Sequence, residues 1–301
     1  MAPGHRYRTR GQLALPCGAD PLQLNGIYSD IYRRLASDDA LFPALPETAV
    51  KLHGIMEQPH CEIRLVAKIV QVDAGLAAFL MQCANSLRYY TRVAPQDLEC
   101  AIRRIGLKET GNFAVSYFCR STFQGNNSRV SALLRKAYAD AVRVASLSSL
   151  LAAKSGVPQG KAMLAGLLQD IGLPPTLNCI AQTKPHLLDD QDLLDQALDQ
   201  LCPLVSATIL QKWRFDDELL GVVRSRKDWY RDQGPADLAD LVLIARLHAA
   251  IGTPDFSNCP PLIKLPAFAK LDLGELTPDN SLQMVAESRD EIEEIRSLLG
   301  S

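Results

Sequence analysis

The chain has 301 residues, 47% of them hydrophobic and 22% charged, with a formal net charge of −2. That length fits one large or two small domains on a prior of roughly 100–200 residues per domain, and the apolar fraction allows a sizeable core. So nearly neutral a chain has no global field to draw it to nucleic acid or to an anionic membrane, so neither is expected as a partner.

Residues 1–10 are basic, but Pro16 and Gly18 follow in place of a continuous apolar segment, so no targeting signal is expected. Apolar runs such as 241–250 are interrupted by Arg246 and His248 and are too short to span a bilayer. The eight cysteines, from Cys17 to Cys259, form no CxxC pair. Read as reduced thiols packed as small hydrophobes, they imply a cytoplasmic location.

The apolar periodicity is helical along most of the chain. Leu24, Ile27, Ile31 and Leu35 recur at three- and four-residue spacing and predict an N-terminal helix. Ala49, Leu52 and Ile55 predict a second, after Pro46; Ile63, Val66 and Ile69 a third; Leu76, Phe79, Leu80 and Cys83 a fourth. Leu98, Ala101, Ile102 and Ile105 predict a fifth, closed by Gly106 at a C-cap position. The polar cluster QGNNS, 124–128, precedes a long helix over about 130–154, which Gly156 and Pro158 end. A helix over 159–170 stops at Gly172, Pro174 and Pro175, and others are expected near 190–201, 203–213, 216–231 and 236–251. After Cys259-Pro260-Pro261, a final helix is expected over about 278–299. The organisation expected is a segment 1–38 with one helix, a main domain 39–252, and a Pro-containing link with a helical extension, 253–301.

Five segments in order resemble the HDOD family, the HD-related output domain. They are FPALPETAVKL (42–52), IVQVDAGLAAFLMQCANS (69–86), a stretch ending AIRRIGL (101–107), LAGLLQDIG (164–172), and ATILQKW (207–213) with Phe215. Ala74 stands where the family usually has Pro. The resemblance implies an all-α, multi-helix bundle related to the HD phosphohydrolase fold, with a C-terminal helical extension. It also implies a bacterial signal-transduction role beside cyclic-dinucleotide enzymes or two-component proteins, with a signalling protein as partner.

HD phosphohydrolases hold divalent metal with His and Asp side chains, and the metal activates water and polarises a phosphoryl oxygen. The adjacent His–Asp pair of that site falls on Gln169–Asp170, and an amide is a poor divalent-metal ligand beside imidazole. The other ligand positions align with Asp140, Cys202 and Ser225–Arg226. None of the five histidines (His5, His53, His60, His186, His248) occupies these places. The expectation is therefore a degenerate site with no metal, no cofactor and no catalysis. His53 and His248 read as core or boundary residues.

With no dication present, Asp140 and Asp170 would repel, and Arg224 or Arg226 is expected within about 4 Å of one of them. Arg143 competes for Asp140. The run RSRKDWYR (224–231) groups Arg224, Arg226, Lys227 and Arg231 with Trp229 and Tyr230. It reads as a solvated helix end, as an anionic-ligand contact or as a partner contact. Three functional readings stay open: a non-catalytic module acting through protein–protein interaction, a receptor for a nucleotide second messenger in the degenerate pocket, and a residual phosphohydrolase.

Overall fold

Apolar residues at helical spacing bury themselves by packing helix on helix, and every regular element described is helical. The computed structural model describes residues 26–37, 43, 46–56, 61–271, 283 and 286–300. The short helices come first: α1 Gly26–Ser37, α2 Glu47–Met56, α3 Ile63–Val70, α4 Ala74–Asn85 and α5 Leu98–Ile105. Helix α6, Leu107–Thr122, leads to the long α7, Ser128–Ser155. Then come α8 Gln159–Leu168, α9 Leu173–Thr183, α10 Gln191–Lys212, α11 Asp217–Arg224 and α12 Leu238–Ala250. The short α13, Pro266–Lys270, and α14, Arg289–Leu299, belong to the tail.

Local chemistry sets these boundaries. Asp73, Asp97, Asn127, Asp190, Asp216 and Asp237 each cap a helix by accepting a backbone N–H two or three residues on. Gly106, at φ 90°, joins α5 to α6 in a conformation that an L side chain would strain. Asn85, the last residue of α4, donates from Nδ2 to the Met81 carbonyl at 2.9 Å.

Helix α7 is the spine, packed along α8 and α12. Helix α1 lies on α9 and α10 through Ile31 and Leu35. The Trp213 indole donates to the Pro43 carbonyl at 3.1 Å, tying the end of α10 to the start of the 42–52 segment. Helix α14 lies on α4, α6 and α7, with Ile295 and Leu299 buried and the Tyr138 hydroxyl donating to the Leu299 carbonyl at 2.7 Å.

Three elements differ from the sequence reading. Residues 107–122 form α6, an element that the periodicity did not single out. The two helices expected near 190–201 and 203–213 are one, α10, which runs through Pro203. Its buried face (Leu194, Ala197, Leu201, Val205, Ile209) continues across the proline, so packing outweighs the lost backbone hydrogen bond. The helix expected over 216–231 ends at Arg224, because the apolar period stops at Val223 and a turn follows. Residues 278–282 of the expected tail helix lie outside the described residues, as do the side chain of His53 and the N-terminal positions Leu24 and Cys17. No described helix is long and apolar enough to cross a membrane.

Leu80, Ile105, Leu167, Leu168 and Ile209, which lie in the segments that resemble the family, are all buried. Leu167→Ala removes a fully buried side chain between α8 and its neighbours and should cost about 2–5 kcal/mol, read as a lower midpoint in urea unfolding.

Candidate functional site

The turn that ends α8 carries Gln169 and Asp170, 1% and 8% exposed. Asp170 sits at the C-terminal end of its helix, where the helix dipole disfavours a negative charge, and burial disfavours it further. Gly172 lets this turn approach α10. A Cβ there would meet the Cys202 carbonyl oxygen at 2.6 Å and the Ser206 nitrogen at 2.7 Å. Gly172 N–H donates to Ser206 Oγ at 2.9 Å, so the α8–α9 turn is hydrogen-bonded to α10.

Two guanidinium groups meet the Asp170 carboxylate. Arg226, in the turn after α11, donates from Nε to Asp170 Oδ1. Arg246, on α12, donates from Nη1 to Asp170 Oδ2 at 3.0 Å and to Gln169 Oε1 at 2.8 Å. Arg226 also donates from Nη1 to Asp199 Oδ1, on α10, at 3.1 Å. Lys227 joins Asp199 from the outside. Two carboxylates and two guanidiniums thus alternate in charge, and they link the end of α8, α10, the post-α11 turn and α12.

Burial alone would raise the Asp170 pKa. The Arg226 and Arg246 charges, with their hydrogen bonds, outweigh it and hold the carboxyl at about 2. The Arg226 guanidinium is correspondingly shifted upward, against its own burial, by Asp170 above all. Burial pushes the Cys202 thiol up to about 12, so a proton stays on sulfur at neutral pH. Its Sγ lies 3.8 Å from Asp170 Oδ1 and 3.7 Å from Ser206 Oγ.

Of the positions aligned with the HD ligands, Gln169, Asp170, Cys202 and Arg226 come together, and Ser225 stands beside them in the turn. Asp140 does not join. It stays on α7, partly exposed, with Arg143 Nη1 of the same helix at 3.6 Å. Its carboxyl is shifted upward by burial, with Arg143 opposing. Arg224 is exposed and takes no part. Gln169 and Asp170 therefore face cations, Cys202 is a neutral thiol, and no group of three His, Cys, Asp or Glu that could hold a metal occurs among the described residues. This donor set does not fit a divalent metal.

The 224–231 run does not form one cationic face. Arg226 turns inward as described, and Arg231 is also buried. Arg231 grips both Asp237 oxygens at 2.6 and 2.7 Å and reaches Asp240 at 2.5 Å. Arg224, Lys227 and Tyr230 are exposed, and Trp229 is half-buried against the core. The alternation follows from the tight turns that replace the expected helix, with Asp228 N–H donating to the Ser225 carbonyl at 3.0 Å and Trp229 N–H to the Lys227 carbonyl at 2.9 Å.

Sequence reading passed over Arg246 and Asp199. The signal for Arg246 was present: it is the single basic long side chain on LADLVLIARLHAA, otherwise buried along nearly its whole length. A charge there needs a partner. His248, on the same helix, is buried with Nδ1 2.8 Å from the Ile244 carbonyl, and burial lowers its pKa.

The chain matches the HDOD domain over residues 42–229. It belongs to the HDOD family. A crystal structure from Shewanella amazonensis SB2B, of a protein whose name suggests a metal-dependent phosphohydrolase, aligns with a TM-score of 0.72 at 23% identity, over 91% of this chain and 98% of that one. Another from Marinobacter aquaeolei VT8, whose name suggests signal transduction, aligns with a TM-score of 0.60 at 19% identity, over 94% of this chain and 69% of that one. These likenesses establish the fold. An uncharacterized protein of Treponema pallidum (strain Nichols) is 18% identical over 190 residues, which is 60% of this chain and 37% of that protein. The match thus spans little more than a third of that curated relative.

Asp170→Asn would leave Arg226 and Arg246 buried without their shared carboxylate, and breaking a buried pair in this way should cost about 3–5 kcal/mol. Because the folded pKa lies below the ordinary 3.8, the ionised carboxylate stabilises the fold above that value, and the benefit is lost as pH falls from 3.8 through about 2. At about 1.4 kcal/mol per pKa unit this is about 2 kcal/mol, and the acid-side slope of stability should flatten in the Asn variant.

Proposed function

We propose that this HDOD protein is a non-catalytic regulatory module that works in bacterial signal transduction through protein–protein contacts in the cytoplasm. The observation that carries the reading is the engagement of the Asp170 carboxylate by Arg226 and Arg246. A guanidinium supplies positive charge and directional donors, but it is no Lewis acid for a phosphoryl oxygen and has no bound water to deprotonate. With Gln169 held by Arg246, the position that would be an imidazole ligand also serves the ion cluster. The Marinobacter relative's name supports a signalling role. Its partner would be a signalling protein such as a cyclic-dinucleotide enzyme or a two-component protein.

Two rivals lose support. A residual phosphohydrolase would need a metal where two permanent cations sit. A nucleotide second messenger in the degenerate pocket would need the volume that the two arginine side chains fill.

Elemental analysis of protein equilibrated with Mn2+ should give well below one metal per chain, and bis(p-nitrophenyl) phosphate should not be hydrolysed. Stoichiometric metal together with metal-dependent hydrolysis would overturn the proposal. Crosslinking in source cells, read by mass spectrometry, should return a signalling protein; a metabolic enzyme as the dominant partner would count against the signalling assignment.

A further inference from the structure

A cleft of about 710 Å3 opens between the end of α6, α7 and the end of α14, within the roughly 300–1,000 Å3 typical of small-ligand sites. Arg120 of α6 and Arg135 of α7 both line it, and both are exposed. Neither has a hydrogen-bond or ion-pair partner among the described residues. Several other arginines do: Arg88 faces Glu109, Arg129 faces Asp189, and Arg143 faces Asp140.

Four aromatic residues also line the cleft, the half-buried Tyr117 and the buried Phe118, Phe123 and Tyr138, together with Ser121 and Gln124. Tyr117 and Phe118 meet edge to face with centroids 5.1 Å apart, and Phe123 and Tyr138 are tilted at 5.3 Å. One carboxylate, Asp73, also lines the cleft, with Oδ1 accepting from the Leu76 N–H at 2.9 Å to cap α4. Among the described residues, its charge leaves the two arginines in excess.

The remaining wall is the tail. Gly300, at φ 73°, lies so close to Arg120 that a Cβ there would stand 2.4 Å from Nη1. The hydrogen bond from Tyr138 to the Leu299 carbonyl holds that wall against α7.

Two guanidiniums without a partner among the described residues, beside the partly exposed Tyr117 ring, match a ligand with an anionic group and a planar ring. Guanidiniums grip phosphate through paired hydrogen bonds, and the accessible part of the Tyr117 ring can stack on a base. We infer that this cleft binds a small phosphorylated ring compound of the mononucleotide class. The site is separate from the Asp170 cluster and does not depend on how that cluster is read. A bound ligand would touch α6, α7 and the tail together, so it would favour the docked tail by the share of its binding that the wall supplies.

Calorimetric titration of the full chain with AMP, GMP, adenosine and inorganic phosphate tests this, alongside the melting temperature. At least one nucleotide should bind and raise the melting temperature, and adenosine and phosphate should each bind at least about tenfold more weakly. Arg120→Gln and Arg135→Gln should each weaken nucleotide binding by about tenfold. The unliganded melting temperature should barely move, because both side chains are exposed. Three outcomes would overturn the assignment: no binding of either nucleotide, undiminished binding to the double variant, or inorganic phosphate binding as tightly as the nucleotide, which would leave an anion site without a ring subsite.

Discussion

A carboxylate buried at the C-terminal end of a helix is the constraint around which the centre of this protein is arranged. Asp170 loses water, faces the negative end of α8's dipole, and still ionises. That is possible only because cations arrive from two other elements. Arg226 comes from the turn after α11 and Arg246 from α12, and Asp199 on α10 balances the second positive charge. A hydrophobic contact tolerates small shifts in helix position. A bridge between fixed donors and a carboxylate does not, so the cluster sets register between the end of α8, α10 and α12 more narrowly than the surrounding leucines can.

The same physics recurs where the tail joins the body. Asp240 is fully buried at the start of α12, with Arg231 at 2.5 Å and Lys270 of α13 at 2.9 Å. It also closes a capping box with Asp237. The carboxylate thus completes the helix start, anchors the 225–231 turn and receives the extension. Isolated surface ion pairs contribute little; these buried pairs matter because loss of one member strands another charge. The turn that delivers Arg226 to the first cluster is held at its far end by Arg231 in the second.

Much of the fold could be read from the sequence because helix periodicity is a local signal. Asp97, Gly106, Asn127 and Gly156 mark boundaries by their own chemistry, and the segment around Leu164–Gly172 places its leucines inside. The failures have a common cause. Residues 107–122 are polar over 108–112 and then almost continuously apolar over 113–119, so no clean stripe shows, yet Phe113, Ala114, Phe118 and Cys119 are all buried by tertiary contacts. Pro203 looked like a break, but the apolar face on both sides carries α10 through it. In the site, aligning Ser225–Arg226 with a lost ligand pair led to the Arg226–Asp170 contact. Arg246 escaped because no ligand position aligned with it, and Asp140 was misplaced because nothing local to its helix shows which way it faces.

The engagement of Asp170 by two guanidiniums has a physical consequence. A bound dication can leave, exchange or carry water; an arginine tethered in the core does none of these, and it keeps its charge at every physiological pH. The centre of the bundle therefore becomes a permanent structural element, and responsiveness has to come from groups that remain accessible. Exposed Arg120 and Arg135 are of that kind: they are charged, they line the cleft, and they are bounded by a tail wall that packs through Ile295 and Leu299 and accepts the Tyr138 hydrogen bond. A ligand in that cleft would touch the tail as well as α6 and α7, so charges fixed at the bundle centre do not prevent ligand binding there from changing the surface. The end of α14 borders the cleft through Gly300, while the end of α8 and the turn after α11 are tied into the Asp170 cluster.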